Sequence, residues 1–130
     1  MDATQALSEL TGLSAQITSA VVLDEQGSPS ASTLDDARTA DLAESVKALV
    51  DAAARAADRD GGLTQLEVAT PTGSVFVVRD GKRTIAATTK PEPAAGLVFY
   101  DLKSTLRAID DQPKPRPRPR ERKKASDAAA

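Results

Sequence analysis

The sequence predicts one α/β domain of the α+β kind over residues 1–110. It has three layers and the element order α-β-β-α-β-β-β-α around a five-stranded, mainly antiparallel sheet, and a disordered tail follows over residues 111–130. Three observations carry this reading. Apolar residues recur at helical spacing in three separated segments. Short β-branched stretches lie between them, bounded by glycine, proline and aspartate. After Asp110 the apolar pattern stops.

Ala3, Ala6, Leu7 and Leu10 stand at helical spacing before Gly12, which predicts a short first helix with the glycine as its stop. Residues 17–23, Ile-Thr-Ser-Ala-Val-Val-Leu, read as a central strand with both faces covered. Alternation puts Ile17, Val21 and Leu23 on one face and Ala20 and Val22 on the other. Asp24-Glu25-Gln26-Gly27 is a turn signature. Residues 28–33 return as a second strand that Pro29 confines to an edge or a bulge.

Thr33 stands three residues before Asp36, in the manner of a helix cap, and the early acids Asp35 and Asp36 suit a helix dipole. The helix predicted there runs over about residues 35–58. Leu42, Val46, Leu49, Val50, Ala53 and Ala57 form one stripe in it, at spacings of three and four. Ala48, Ala52, Ala54 and Ala56 extend the small apolar surface further round than one sheet face covers. The six stripe residues are therefore the candidate homodimer interface, against the simpler reading that the helix is buried on its own sheet alone.

Gly61-Gly62 reads as the end of that helix. Three strands are expected over 63–70, 74–79 and 83–89, joined by Pro71-Thr72-Gly73 and by Asp80-Gly81, the latter read as a type I′ hairpin. Pro91 and Pro93 interrupt the chain before a third amphipathic helix over 94–109, carrying Val98, Leu102, Leu106 and Ile109.

Composition limits what this domain does. Of 130 residues 40% are hydrophobic, much of that alanine, and the only aromatics are Phe76, Phe99 and Tyr100, so the predicted core is thin and association with a second copy would strengthen it. No cysteine is present, which removes disulfides and thiolate chemistry and gives secretion no support. With an acidic start unlike a signal peptide and no long apolar run, the expected location is cytoplasmic.

Net charge is −2, yet it is divided. Residues 1–110 hold 10 Lys and Arg against 16 Asp and Glu, while residues 111–130 hold 7 against 3, so an acidic body carries a basic tail. Proline alternates with a base from Pro113 to Arg120, a pattern that favours extended polyproline II and cannot bury a core. Lys114, Arg116, Arg118, Arg120, Arg122, Lys123 and Lys124 are the candidate contacts for a polyanion. The plainer reading of the tail is a solubilising end.

Histidine is absent, which removes the commonest general base and metal ligand and with them most hydrolase designs. Gly81-Lys82-Arg83 is a hairpin turn and not a phosphate-binding loop, because Phe76 stands where the first glycine would be and Arg83 where the magnesium-binding hydroxyl would be. No catalytic residue, cofactor or metal is expected, and the chain reads as a non-enzyme.

Several stretches resemble the Roadblock (dynein light chain) family, which shares a profilin-like architecture. Residues 17–27 look like that family's first strand and acidic-glycine turn. Val75-Phe76-Val77-Val78-Arg79-Asp80-Gly81 and Thr84-Ile85-Ala86-Ala87-Thr88-Thr89 look like its fourth and fifth strands, and residues 94–102 like the start of its last helix. The resemblance covers roughly residues 3–109 and rests on hydrophobic patterns around turns. Ser28-Pro29-Ser30 departs from it by weakening the second strand, and the proline-basic tail lies outside any family core.

The resemblance implies a homodimer in which the long middle helices pack together and the sheets join edge to edge. It further implies a regulatory module that binds a small Ras-like GTPase, as bacterial members do, some of them accelerating GTP hydrolysis without supplying a catalytic residue. The alternative is a dimeric scaffold whose basic tails gather on nucleic acid or an anionic membrane.

Overall fold

The computed structural model describes residues 1–57 and 65–110. Its elements are α1 (Ala3–Leu13), β1 (Ile17–Leu23), β2 (Pro29–Ser32), α2 (Asp36–Ala57), β3 (Gln65–Thr70), β4 (Gly73–Asp80), β5 (Arg83–Thr89) and α3 (Ala95–Asp110). The expected order is therefore the observed one. The five strands form one sheet in the order β2-β1-β5-β4-β3, and every neighbouring pair is antiparallel. The Gly61-Gly62 stop, the first two residues of the expected third strand, and the tail with its seven bases lie outside the described residues.

Local chemistry sets the helix ends. Asp2 caps α1, its carboxylate accepting from Gln5 N at 2.8 Å. The helix runs past Gly12, which has no left-handed φ, and stops at Ser14, whose backbone is extended and whose N–H returns to Leu10 O. The cap of α2 is Asp35, accepting from Arg38 N at 2.9 Å. Thr33 does something else: its hydroxyl accepts from Ala20 N, and its own N–H donates to Ala20 O, so it ties the exit of β2 to β1. Ser32 Oγ accepts from both Leu34 N and Thr39 Oγ1, which fixes the three-residue elbow into α2.

The sheet has two apolar faces. On one, α1 and α3 cover Ala20, Val22, Phe76, Val78, Ile85 and Ala87 with Leu7, Leu10, Val98, Leu102 and Leu106, and Phe76 meets Phe99 edge-on at 5.0 Å. On the other, α2 lays Ala43, Val46 and Val50 over Val21, Leu23, Val77 and Ala86. Ile17 joins the α1–α3 side rather than the Val21 side that simple alternation assigns it. The cause is a bulge: Ile17 pairs with Thr89 and Ser19 with Thr88, so two steps on β1 face one on β5 and the side-chain parity flips.

The β4–β5 hairpin also departs from expectation. Asp80 pairs with Arg83, so the central residues are Gly81 and Lys82, and of these only Gly81 has a positive φ, 63°. That is the type II′ pattern and not type I′, since I′ needs both central residues left-handed.

Candidate interaction surface

Two helices cover one face of the sheet and a single helix covers the other, so the α2 side is the less complete. Cross-strand pairing puts Val21, Ala86, Val77 and Leu66 in one row and Ser19, Thr88, Val75 and Val68 in the next, all facing α2. The first row is buried from β1 to β4, but Leu66, Val68, Val75 and Thr88 remain half-exposed. Helix α2 packs over the β1–β2 side, where Gly27 lies under the Lys47 stem, and it stops short of the β3 edge.

The helix presents a matching open side. Among the six stripe residues, Val46 and Val50 are buried in the protomer's own core, while Leu42, Leu49 and Ala53 are half-exposed and Ala57 is exposed. Leu42, Leu66 and Val75 each pack at the margin of that core. The result is an apolar strip, helix on one side and sheet on the other, that the protomer leaves half covered. It ends at β3, whose outer edge carries no strand partner among the described residues.

Sequence reasoning marked the helical half of this strip and missed the strand half. Leu66, Val68 and Val75 were legible as strand residues, and the alternation Gln65-Leu66-Glu67-Val68 was the available signal that one face is apolar. What it does not reveal is how far α2 reaches across the sheet.

A second feature lies at the end of the sheet. The β1–β2 turn, Arg79, Thr84 and the α2 residues Lys47 and Asp51 line an open cleft of roughly 170 Å³. Asp24 shapes it by accepting from Gln26 N and Ser28 N, both at 2.9 Å, and Gly27 supplies the left-handed φ of 83°. Among the described residues no three acids converge in a way that would hold a metal ion. The cleft offers charge of both signs and no nucleophile–base pair.

Comparison with known proteins follows the same architecture. A sequence model described as the Roadblock/LC7 domain matches residues 4–90. A Roadblock/LC7 domain from Streptomyces avermitilis superposes with a TM-score of 0.76 at 21% identity, covering 85% of this chain and 96% of that one. MglB from Myxococcus xanthus superposes with a TM-score of 0.67 at 16% identity, covering 83% and 92%. Profilin IB from Acanthamoeba castellanii gives 0.53 at 16% identity, covering 82% and 96%. At these identities the likeness is one of fold. A search of curated protein sequences found no match.

Proposed function

The chain belongs to the Roadblock/LC7 domain family, and from that premise we propose that it is a homodimeric, non-catalytic regulatory module of the cytoplasm whose partner is a small Ras-like GTPase. The observation that supports it best is the half-covered strip of Leu42, Leu49, Ala53, Leu66, Val68 and Val75 beside the open edge of β3. A second copy related by a two-fold axis would set α2 against α2 and continue the sheet through β3. Both the apolar strip and the unpaired backbone edge are then satisfied by one contact.

In this reading the interface is narrower than the sequence stripe, because Val46 and Val50 are already used within the protomer. The resemblance to GTPase-binding relatives supports the choice of partner. Regulation in this reading is by contact, with hydrolysis, where it is stimulated, carried out by the GTPase's own residues.

Light scattering should give a mass twice the 13.5 kDa of one chain. Small Ras-like GTPases from the same genome should then be tested in both nucleotide states against the full chain and against a chain ending at residue 110. Binding of one of them to both chains is the expected result. Failure of every such GTPase in both states would discard the partner, and a monomeric mass would discard the dimer.

A further inference from the structure

We propose that the groove between α1 and α3 is a docking site for an amphipathic helix of a partner protein, one whose apolar stripe is flanked by Lys or Arg. The two helices run antiparallel. The Gln16 side chain, just past α1, accepts from Ala94 N at the start of α3 at 2.6 Å, and Met1 and Ala108 line the groove at its other end. Each helix borders the gap with a stripe of similar design. On α1 it is Ala6, Glu9 and Leu13, and on α3 it is Leu97, Asp101, Ser104 and Ala108, all at helical spacings of three and four. All of these but Leu97 line a single open groove of about 170 Å³, and Leu97 carries the α3 stripe on to the first turn.

The protomer leaves this groove unfilled. Leu13 is 86% exposed and Leu97 53%, two of the three large hydrophobics exposed among the described residues. A single exposed leucine is ordinary, but these two stand at the same end of one groove, where Gln16 ties α1 to α3. The carboxylates of Glu9 and Asp101 follow them along the stripes. Among the described residues neither acid has a hydrogen-bond or ion-pair partner, and no Lys or Arg lines the groove.

Those features specify the occupant. Apolar positions lie at both ends and acids between them, and from Leu97 to Ala108 the stripe spans about 16 Å at roughly 1.5 Å per residue, or three helical turns. That length and pattern match helix-in-groove recognition, in which anchors at i, i+3, i+4 and i+7 enter the apolar floor and flanking charges select the partner. The chain's own tail supplies bases but no Leu, Ile, Val, Met or aromatic residue between Pro113 and Lys124. A proline-rich segment docks on aromatic side chains, and none lines this groove among the described residues. A second copy of the same face would set Glu9 and Asp101 against their own kind. The groove is on the sheet face opposite α2, so this inference stands apart from the dimer and GTPase readings.

The test is fluorescence anisotropy of the full chain with a labelled helical peptide of about 18 residues, five turns, carrying Leu on one stripe and Lys beside it. The comparators are the same peptide with Glu for Lys, and a peptide of residues 111–124 of this chain. Wild type should bind the Leu–Lys peptide roughly tenfold or more tightly than either comparator. Glu9→Lys/Asp101→Lys should weaken that binding by roughly tenfold or more and take up the Leu–Glu peptide instead, because the charges facing each peptide are exchanged. An unfolded variant would not show that gain. Leu13→Ser/Leu97→Ser should weaken binding by about tenfold with the charge unchanged. Asp41→Lys/Glu44→Lys alters net charge equally, but on the exposed side of α2, and should leave binding within about twofold because salt screens distant charges. The proposal is overturned if wild type does not distinguish the Leu–Lys from the Leu–Glu peptide, or if residues 111–124 bind as tightly as the Leu–Lys peptide. It is equally overturned if Leu13→Ser/Leu97→Ser binds like wild type, or if the reversal on α2 weakens binding as much as the reversal in the groove.

Discussion

Gly73 lies against the Thr89 carbonyl so closely that a Cβ placed on it would stand 2.3 Å from that oxygen. The contact sits where β4 starts beside the end of β5, with Ser74 paired to Thr89, and neither backbone is free to give way. Gly73→Ala should therefore cost about 1–3 kcal/mol, as overpacking does, lowering the melting midpoint by roughly 5–20 °C. Gly81→Ala is the comparison. That glycine has a φ of 63° but open space around it, so only backbone strain of about 1–2 kcal/mol is expected. Gly73 also has a φ of 158°, so its substitution adds crowding to strain, and calorimetry on the two variants shows what the crowding adds. A Gly73→Ala protein as stable as wild type would show that the strands part easily there.

The elbow into α2 yields a second expectation. Asp35→Ala removes the acceptor for Arg38 N and should cost about 1 kcal/mol in thermal or urea unfolding, the usual worth of an N-cap. Thr33→Val removes the hydroxyl that accepts from Ala20 N and leaves a β1 donor in a partly buried place unpaired, a loss of about 1–3 kcal/mol. The two serve different donors but stand two residues apart, so the double variant measures how far they are coupled. If Thr33→Val instead lowers helicity with no further effect from Asp35→Ala, the cap belongs to Thr33.

Those two residues show where sequence reading succeeded and where it stopped. The order of elements, the turns and the basic tail follow from period, proline and glycine, all of which act within a few residues. Helix-start chemistry is local and marks Thr33 as a cap, but an acid two residues later competes for the same donors, and only the pairing with Ala20 shows what the threonine does. Ile17 failed for a similar reason: the bulge against Thr88 and Thr89 is a property of two strands together and has no signature in one. The stripe on α2 was visible as apolar. Dividing it into Val46 and Val50, which serve the protomer, and Leu42, Leu49 and Ala53, which face the open strip, depends on the angle at which the helix crosses the sheet.

That division gives a paired prediction. Ala53→Glu places a carboxylate in the proposed contact and should produce monomers or insoluble protein, since an unpaired buried charge costs several kcal/mol, about 3 or more. Val46→Ala should act differently, lowering stability by about 1–3 kcal/mol through a cavity under α2 while the folded fraction stays dimeric. Light scattering beside thermal melts distinguishes them. A soluble Ala53→Glu protein with the wild-type dimer mass would move Ala53 out of the interface.

The tail should take no part in folding. Residues 111–130 follow α3 with a sequence of alternating proline and base that has no apolar face to bury, and both apolar clusters of the described residues are complete without it. Deleting it should leave the melting midpoint within about 2 °C, because changes away from packed features usually lie within roughly 0.5 kcal/mol. The body it leaves carries a net charge of −6, so the same deletion should abolish retention on heparin at low salt. In the full chain that retention should fall steeply as salt rises, as counterion release requires, and two tails on one dimer should hold a polyanion that one tail releases. A large drop in melting temperature on deletion would show instead that the bases dock on the acids of the body, and retention that survives deletion would place the anion contact on the body.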